Sequence, residues 1–220
     1  LAGQGLRYVL SLFSANALQI GFSQLGSFFL FWLSSKELPK EEFGLFNWYF
    51  AVYGTISTIL TLGFDYIVIR RISAKNDVDA ARVQFIQNLC LAIVSLAPVL
   101  FLLLTGVAGV NFQKTILVLV AFQFMFLSLP FKNVLTGNEM FIRSARAVII
   151  SNGLKIILII YLYIIQKITL WNVSLVLALS NGIELVSFSL LAKKELSHRL
   201  LPELKKGYYV GLIKEALPQL

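Results

Sequence analysis

The sequence predicts an all-α, polytopic membrane protein, a bundle of six transmembrane helices whose N-terminus is cytoplasmic. Of its 220 residues, 58% are hydrophobic and 14% are charged, and the mean hydropathy is +0.80. An ordinary soluble domain is about half apolar and about a quarter charged, so this composition favours the membrane class. The apolar residues also gather into runs long enough to cross a bilayer, for which a helix needs about 20 residues.

Six uncharged apolar runs define the expected helices. They cover approximately residues 8–33, 43–69, 85–106, 115–136, 147–165 and 173–192. We expect residues 1–192 to form one six-helix domain. Residues 193–214 are basic and amphipathic, and we expect a cytoplasmic linker that lies on the inner leaflet. Residues 215–220 read as the start of a truncated seventh helix, so that the chain resembles half of a larger protein.

The distribution of lysine and arginine predicts the orientation. About thirteen basic residues lie in the N-terminus and in one set of connections, and a surplus of basic residues marks the cytoplasmic side. The other set of connections holds only Lys36, Lys40, Lys114 and Lys167. The tryptophans agree with this assignment, because all of them lie at helix ends on the predicted outer side, namely Trp32, Trp48 and Trp171.

Polar side chains recur at helical spacing along the first two predicted helices. The first helix carries Asn16, Gln19, Ser23 and Ser27, and the second carries Asn47, Ala51, Gly54, Thr58, Thr61 and Asp65. Such faces are expected to point toward other helices or a water-filled cavity. A charge at membrane depth costs about 2.5–3.5 kcal/mol on insertion scales, so Asp65 requires a partner or a function. Arg70 and Arg71 follow where this helix should reach the headgroups.

Two further charges lie inside the last two predicted helices. Lys155 and Glu184 are each roughly 12 Å from the cytoplasmic end of their helix, at 1.5 Å per residue. A direct ion pair between them would be a purely structural explanation. Alternatively, Asp65, Lys132, Lys155 and Glu184 line an inward cavity and bind an anionic substrate or a coupling ion. Lys132 is also close enough to the headgroups to extend toward them. The proline before it, Pro130, and Pro98 in the third helix predict kinks.

Several classes of function lack the residues they require. One cysteine, Cys90, and one histidine, His198, form no metal-binding pattern. No phosphate-binding glycine loop, dinucleotide fingerprint, zinc-protease motif or serine-hydrolase motif is present in the sequence. The basic residues lie in short loops, which argues against nucleic-acid binding. We therefore expect no enzyme activity, no catalytic residue, no metal and no cofactor beyond coupling to protons or sodium ions.

Short motifs in the second helix resemble the Wzx-type polysaccharide or O-antigen flippases, within the superfamily of multidrug, oligosaccharidyl-lipid and polysaccharide exporters. The resemblance rests on Glu41, Glu42, Phe43, Gly44, Leu45 and Phe46, and on Gly63, Phe64, Asp65, Arg70 and Arg71. Leu6 and Arg7, and the segment from Lys214 to Pro218, are similar to that family's starts of the first and seventh helices.

The resemblance implies two six-helix bundles and a cavity that works by alternating access. The chain would be the N-terminal lobe of a flippase in the bacterial inner membrane, and a C-terminal six-helix half of the same transporter would be its partner. The substrate implied is an undecaprenyl-pyrophosphate-linked oligosaccharide used for surface polysaccharide such as lipopolysaccharide. Lys132, Lys155, Arg70 and Arg71 are the candidates for holding the pyrophosphate, whereas Asp65 and Glu184 leave room for ion coupling.

Two other interpretations remain open at this point. An ion-coupled extruder of small cationic compounds, from the same superfamily, fits Asp65 and Glu184 better and Lys155 worse. A membrane scaffold without transport activity would simply pair its buried charges.

Overall fold

Helices are the regular secondary structure of the chain in the residues that the structure describes. The computed structural model describes the backbone of residues 2–61, 63–104 and 110–196, and also Tyr208, Gly211 and Glu215. Side chains are described for residues 13–59, 63–94 and 116–196 and for the same three residues. These parts contain seven helices and no strand: α1 (Ala2–Glu37), α2 (Lys40–Thr61), α3 (Phe64–Lys75), α4 (Asp79–Leu104), α5 (Val110–Gly137), α6 (Phe141–Ile164) and α7 (Leu170–Ala192).

The single helix predicted over residues 43–69 is divided into α2 and α3. The axes of the two helices differ by 48°. Between them, Gly63 has φ +70°, in the left-handed region that glycine adopts without steric cost. A residue in this conformation cannot continue a right-handed helix. The sequence contains this glycine, but hydropathy averaged over the run conceals the break.

Several of the helices are suited to cross a membrane. Within the described residues, α5, α6, α7 and residues 13–37 of α1 are long and apolar enough, and α2 with α3 makes a fifth if the bent pair counts as one span. The predicted third segment, residues 85–106, overlaps α4 as far as Leu104, and residues 105 and 106 lie outside the described part of the chain. Side chains of α4 are described only to residue 94. The six-span count and the cytoplasmic N-terminus thus stay predictions. The linker predicted at 193–214 and the helix start at 215–220 lie mostly outside the described residues.

Two apolar clusters pack the bundle, one toward each end. One cluster joins α3, α4, α5, α6 and α7 through residues such as Ile67, Val134 and Phe188. The other joins α1, α2, α5, α6 and α7 through residues such as Leu30 and Ile159. Helix α5 contributes to both, so its middle turns lie between the clusters.

Pro130 interrupts the hydrogen bonding of α5, and a neighbouring helix compensates for the loss. Proline has no N–H, so Pro130 cannot donate to the carbonyl of Phe126 four residues earlier. The side chain of Asn88 on α4 donates its Nδ2 to this carbonyl oxygen at 2.8 Å instead. Asn88 is buried, with 1% of its surface exposed. Its amide therefore satisfies a backbone group that would otherwise lack a partner inside the membrane.

Candidate functional site

A cavity of about 250 Å³ opens between α1, α2, α5, α6 and α7. Eight polar side chains contribute to its lining: Ser23, Ser27, Ser128, Lys132, Asn152, Lys155, Asn181 and Glu184. The remainder of the lining is apolar and includes Phe31, Phe50 and Phe122. Three of the four charged residues predicted to share a cavity, Lys132, Lys155 and Glu184, thus come together here. They belong to three different helices.

Lys155 and Glu184 are connected by hydrogen bonds through two intervening side chains. The Nζ of Lys155 donates to Oδ1 of Asn152 at 2.9 Å. The Nδ2 of Asn152 lies 3.4 Å from Oγ of Ser151, a long contact, and the Ser151 hydroxyl donates to Oε2 of Glu184 at 2.9 Å. The two charges therefore lie on one hydrogen-bonded path from α6 to α7.

Lys155 and Glu184 form no direct ion pair within the described part of the chain. A buried charge without a close partner is costly, so direct pairing alone does not explain why these residues lie inside the bundle. Lys155 has only 7% of its surface exposed. Lys155 nevertheless contributes to the lining of the cavity.

Lys132 brings a second ammonium group to the same cavity. It is half-buried on α5, two residues after Pro130. Among the described residues its Nζ has no hydrogen-bond or ion-pair partner. The charges that line the cavity are thus two lysines and one glutamate. An anion entering the cavity would meet a positive balance of charge.

Two asparagines of the lining are fixed by contacts on their own sides of the cavity. Asn181 on α7 donates to the carbonyl oxygen of Ala121 on α5 at 2.9 Å. Asn152 packs against Gly26 of α1, where a β-carbon on the glycine would lie 2.7 Å from Oδ1 of Asn152. Gly26 therefore allows α1 to approach the same oxygen that accepts the hydrogen bond from Lys155.

The structure places Asp65 outside this cavity. Its Oδ1 accepts a hydrogen bond from Nε2 of Gln84 on α4 at 2.6 Å and another from Nδ2 of Asn133 on α5 at 2.7 Å. Both amide side chains are buried, with 1% and 4% of their surfaces exposed. Asp65 thus has the hydrogen-bond partners that a charge at membrane depth needs, but these partners are neutral amides. The expectation that it lines the cavity together with Lys155 does not agree with this geometry.

Arg70 and Arg71 also lie outside the lining. Both guanidinium groups contact the carboxylate of Glu215, that of Arg71 through two hydrogen bonds, at 2.6 and 3.2 Å. Arg71 also pairs with Asp77 at 3.3 Å and packs over the ring of Tyr208. These contacts join α3 to the residues that follow the helical bundle. We find neither arginine facing the two lysines of the cavity.

The three remaining candidates are outside the lining as well. Asn16 is exposed on α1, and Asn47 is half-buried on α2. Gln19 accepts a hydrogen bond from the hydroxyl of Ser144 on α6 at 3.2 Å. The polar face predicted on the first helix does reach the cavity, but it does so one and two turns further along, through Ser23 and Ser27.

Ser151, Asn152 and Asn181 were not among the site residues that the sequence singled out. A signal for two of them was present, because Asn152 precedes Lys155 by three residues and Asn181 precedes Glu184 by three residues. Residues at this spacing lie on one helical face and can share a ligand. A polar residue three positions before each buried charge is therefore the sequence signal that indicates both asparagines.

Comparison with protein families gives a match that covers most of the chain. A family model described as "Polysaccharide biosynthesis protein" matches residues 9–193. This range includes every charged and amide side chain that lines the cavity. Neither the curated proteins nor the solved structures gave a significant match.

Proposed function

The chain belongs to the polysaccharide biosynthesis protein family, and from this premise we propose that it is one lobe of a flippase for lipid-linked oligosaccharides. Members of the family are transporters of the flippase and exporter type rather than enzymes. The apolar helices agree with a multi-pass membrane protein. The substrate that we propose is an oligosaccharide carried on undecaprenyl pyrophosphate in the inner membrane of a bacterium.

The observation that carries the proposal is the pair of ammonium groups on facing helices. Lys132 on α5 and Lys155 on α6 line one cavity. Lys155 donates a hydrogen bond to Asn152, whereas the ammonium of Lys132 has no hydrogen-bond or ion-pair partner among the described residues. A pyrophosphate diester carries about two negative charges, and cationic side chains bind phosphate oxygens through charge-assisted hydrogen bonds. Lysines inside a bundle are costly unless they serve such a role.

The other lining groups suit a sugar. Hydroxyl and amide side chains, those of Ser23, Ser27, Asn152 and Asn181, can exchange hydrogen bonds with sugar hydroxyls. Phe31 and Phe50 offer apolar faces for the rings. The polyprenyl tail would stay in the lipid, because its transfer into a polar cavity has no favourable free energy. Only the headgroup needs to cross the bundle.

Glu184 gives the cavity an internal anion. The Lys155 ammonium, linked to it through Asn152 and Ser151, is held in place when no substrate is bound. A pyrophosphate would compete with this arrangement and take Lys155 as its own partner. In the proposed transport cycle, alternating access between this lobe and a second six-helix lobe would then expose the cavity to each side of the membrane in turn.

The direct test replaces Lys155 in the full-length protein. In cells lacking the native gene, Lys155→Ala should lower surface polysaccharide at least about tenfold, because a charged contact to the headgroup is worth about 1.5–3 kcal/mol. Membrane abundance should remain normal. Lys75→Ala is the matched control, since Lys75 is exposed at the end of α3 and lies outside the cavity. Normal polysaccharide in the Lys155 variant would remove this lysine from the proposed site.

A second candidate function is the ion-coupled extrusion of cationic compounds. Glu184 favours it, since this carboxylate faces the cavity and could bind a cation. Drug resistance conferred by the full-length gene, lost in Glu184→Gln and retained in Lys155→Ala, would favour extrusion over the flippase. The opposite pattern, with polysaccharide lost in Lys155→Ala, would favour the flippase.

A further inference from the structure

Asn133 connects the cavity to a polar cluster on another face of α5. It follows Lys132 directly, so the two side chains leave the helix about 100° apart. Lys132 faces the cavity, whereas Asn133 is buried against α3 and α4. Whatever holds Asn133 therefore also sets the position and rotation of the helical turn that carries Lys132.

Three hydrogen bonds close this cluster into a ring. Gln84 and Asn133 each donate to Oδ1 of Asp65, at 2.6 and 2.7 Å, and Asn133 also donates to Oε1 of Gln84 at 3.0 Å. The ring joins α3, α4 and α5. Both hydrogen bonds to Asp65 end on the same oxygen, so Asp65 accepts two hydrogen bonds through Oδ1. The oxygen of a carboxamide has the same two lone pairs and could accept both bonds.

The turn that carries Lys132 depends on such contacts more than an ordinary helical turn does. Pro130 has removed one hydrogen bond from α5, and the freed carbonyl of Phe126 is satisfied by Asn88 from α4. Beyond this point, the ring around Asp65 fastens α5 to the two neighbouring helices. The α5 segment after Pro130 is thus held laterally by amide side chains.

We propose that Asp65 is a positioning residue for Lys132, which acts through Asn133 as a hydrogen-bond acceptor and not through its charge. This inference rests on the proposed function, in which Lys132 contacts the anionic headgroup. It differs from the expectation that Asp65 lies on an ion pathway. A positioning role requires the Oδ1 acceptor, whereas an ion-coupling role requires the negative charge. Replacement of the carboxylate by an amide separates the two.

The experiment compares Asp65→Asn with Asp65→Leu in the full-length protein. Asn keeps the acceptor oxygen and the size, and Leu keeps only the approximate size. We expect transport, followed as surface polysaccharide, to fall less than about threefold in Asp65→Asn and at least about tenfold in Asp65→Leu, since two buried amides then lose their acceptor. Loss of transport in Asp65→Asn as complete as that in Asp65→Leu would overturn the proposal and assign the charge a role.

A second measurement follows the position of residue 132 without requiring transport. In a Cys90→Ala background, Lys132→Cys is labelled with a water-soluble, negatively charged thiol reagent. The labelling rate should stay within about twofold when Asp65→Asn is added and change at least about fivefold when Asp65→Leu is added. Ser23→Cys, on α1 in the same cavity, is the control and should label equally in both backgrounds. Equal labelling of Lys132→Cys in all backgrounds would contradict the positioning role.

The two measurements also separate this inference from the proposed function. If Lys132→Gln transports normally, the headgroup does not need Lys132, and the anion site of the proposed function fails at this residue. The labelling rates would still decide whether Asp65 fixes the turn of α5. If Asp65→Leu does not accumulate in the membrane, the Asp65→Asn variant alone distinguishes an acceptor from a charge.

Discussion

Lys155 and Glu184 line one cavity, and a hydrogen-bonded path between the ammonium and the carboxylate passes through Asn152 and Ser151. Both are ionisable groups within apolar helices, and each has a neutral polar neighbour as its hydrogen-bond partner. A ligand can therefore replace one partner without first breaking a direct ion pair. This relationship differs from a structural ion pair, and it suits the binding site that we propose.

Exchanging the two charges tests this distinction. Lys155→Glu and Glu184→Lys should each abolish transport, and the double variant should remain inactive, because the amide of Asn152 and the cavity position of the ammonium belong to residue 155. Surface polysaccharide and membrane abundance are the readouts. Recovery of activity in the double variant would instead indicate pairing of charges, as the scaffold interpretation expects.

Gly26 is expected to be intolerant of any side chain. A β-carbon there would lie 2.7 Å from Oδ1 of Asn152, closer than carbon and oxygen normally approach. Gly26→Ala should therefore destabilise the bundle by about 1–3 kcal/mol and displace the acceptor of Lys155. Thermal unfolding in detergent and transport would both report the change.

Gly21 supplies the matched control on the same helix. Among the described residues, no atom beyond the neighbouring backbone of α1 lies within 4 Å of a β-carbon built at this position. Gly21→Ala should leave transport intact and could add up to about 1 kcal/mol of helix stability. A Gly26→Ala protein as stable and active as Gly21→Ala would contradict the close contact between α1 and α6.

Asn88 and Pro130 should be energetically coupled. Asn88→Leu leaves the carbonyl of Phe126 without a donor, at an expected cost of about 1–3 kcal/mol. In a Pro130→Ala background, the new backbone N–H can donate to this carbonyl, so the same substitution should cost much less. A double-mutant cycle of unfolding free energies measures the coupling. Additive effects would mean that Asn88 does not replace the missing backbone bond.

Tyr208 gives a prediction of pH dependence. Its hydroxyl donates to Oδ2 of Asp77 at 2.6 Å, and burial, followed by this hydrogen bond, raises the pKa of the phenol above its usual 10.0. Because the folded protein holds the proton more tightly, the stabilisation is complete below the unfolded pKa of about 10 and is lost as the pH rises through the raised value.

The stability difference between the unsubstituted protein and Tyr208→Phe should accordingly stay constant from about pH 6 to about pH 9 and shrink above about pH 10. Thermal unfolding at a series of pH values is the measurement. A difference that varied already between pH 6 and 9 would assign the titration to another group.

The cost of charge in a membrane led to the prediction of three residues that line the candidate cavity. Lys132, Lys155 and Glu184 lie within apolar helices, where a charge without a function or a partner is selected against, and their similar depth follows from counting residues along helices. Depth, however, does not fix direction around the axis. Asp65 has a comparable depth, yet it faces α4 and α5 through Gln84 and Asn133, away from the cavity.

The sequence by itself determined that the chain is a helical membrane protein, because apolar runs of this length must satisfy their backbone hydrogen bonds internally and do so as helices. It also determined the family, through the match over residues 9–193. Only the tertiary structure decided which polar groups meet. The donation from Asn88 to the carbonyl of Phe126 and the path from Lys155 to Glu184 join residues on different helices. Such contacts depend on how helices rotate and pack against one another, and hydropathy along one chain contains little information about that rotation.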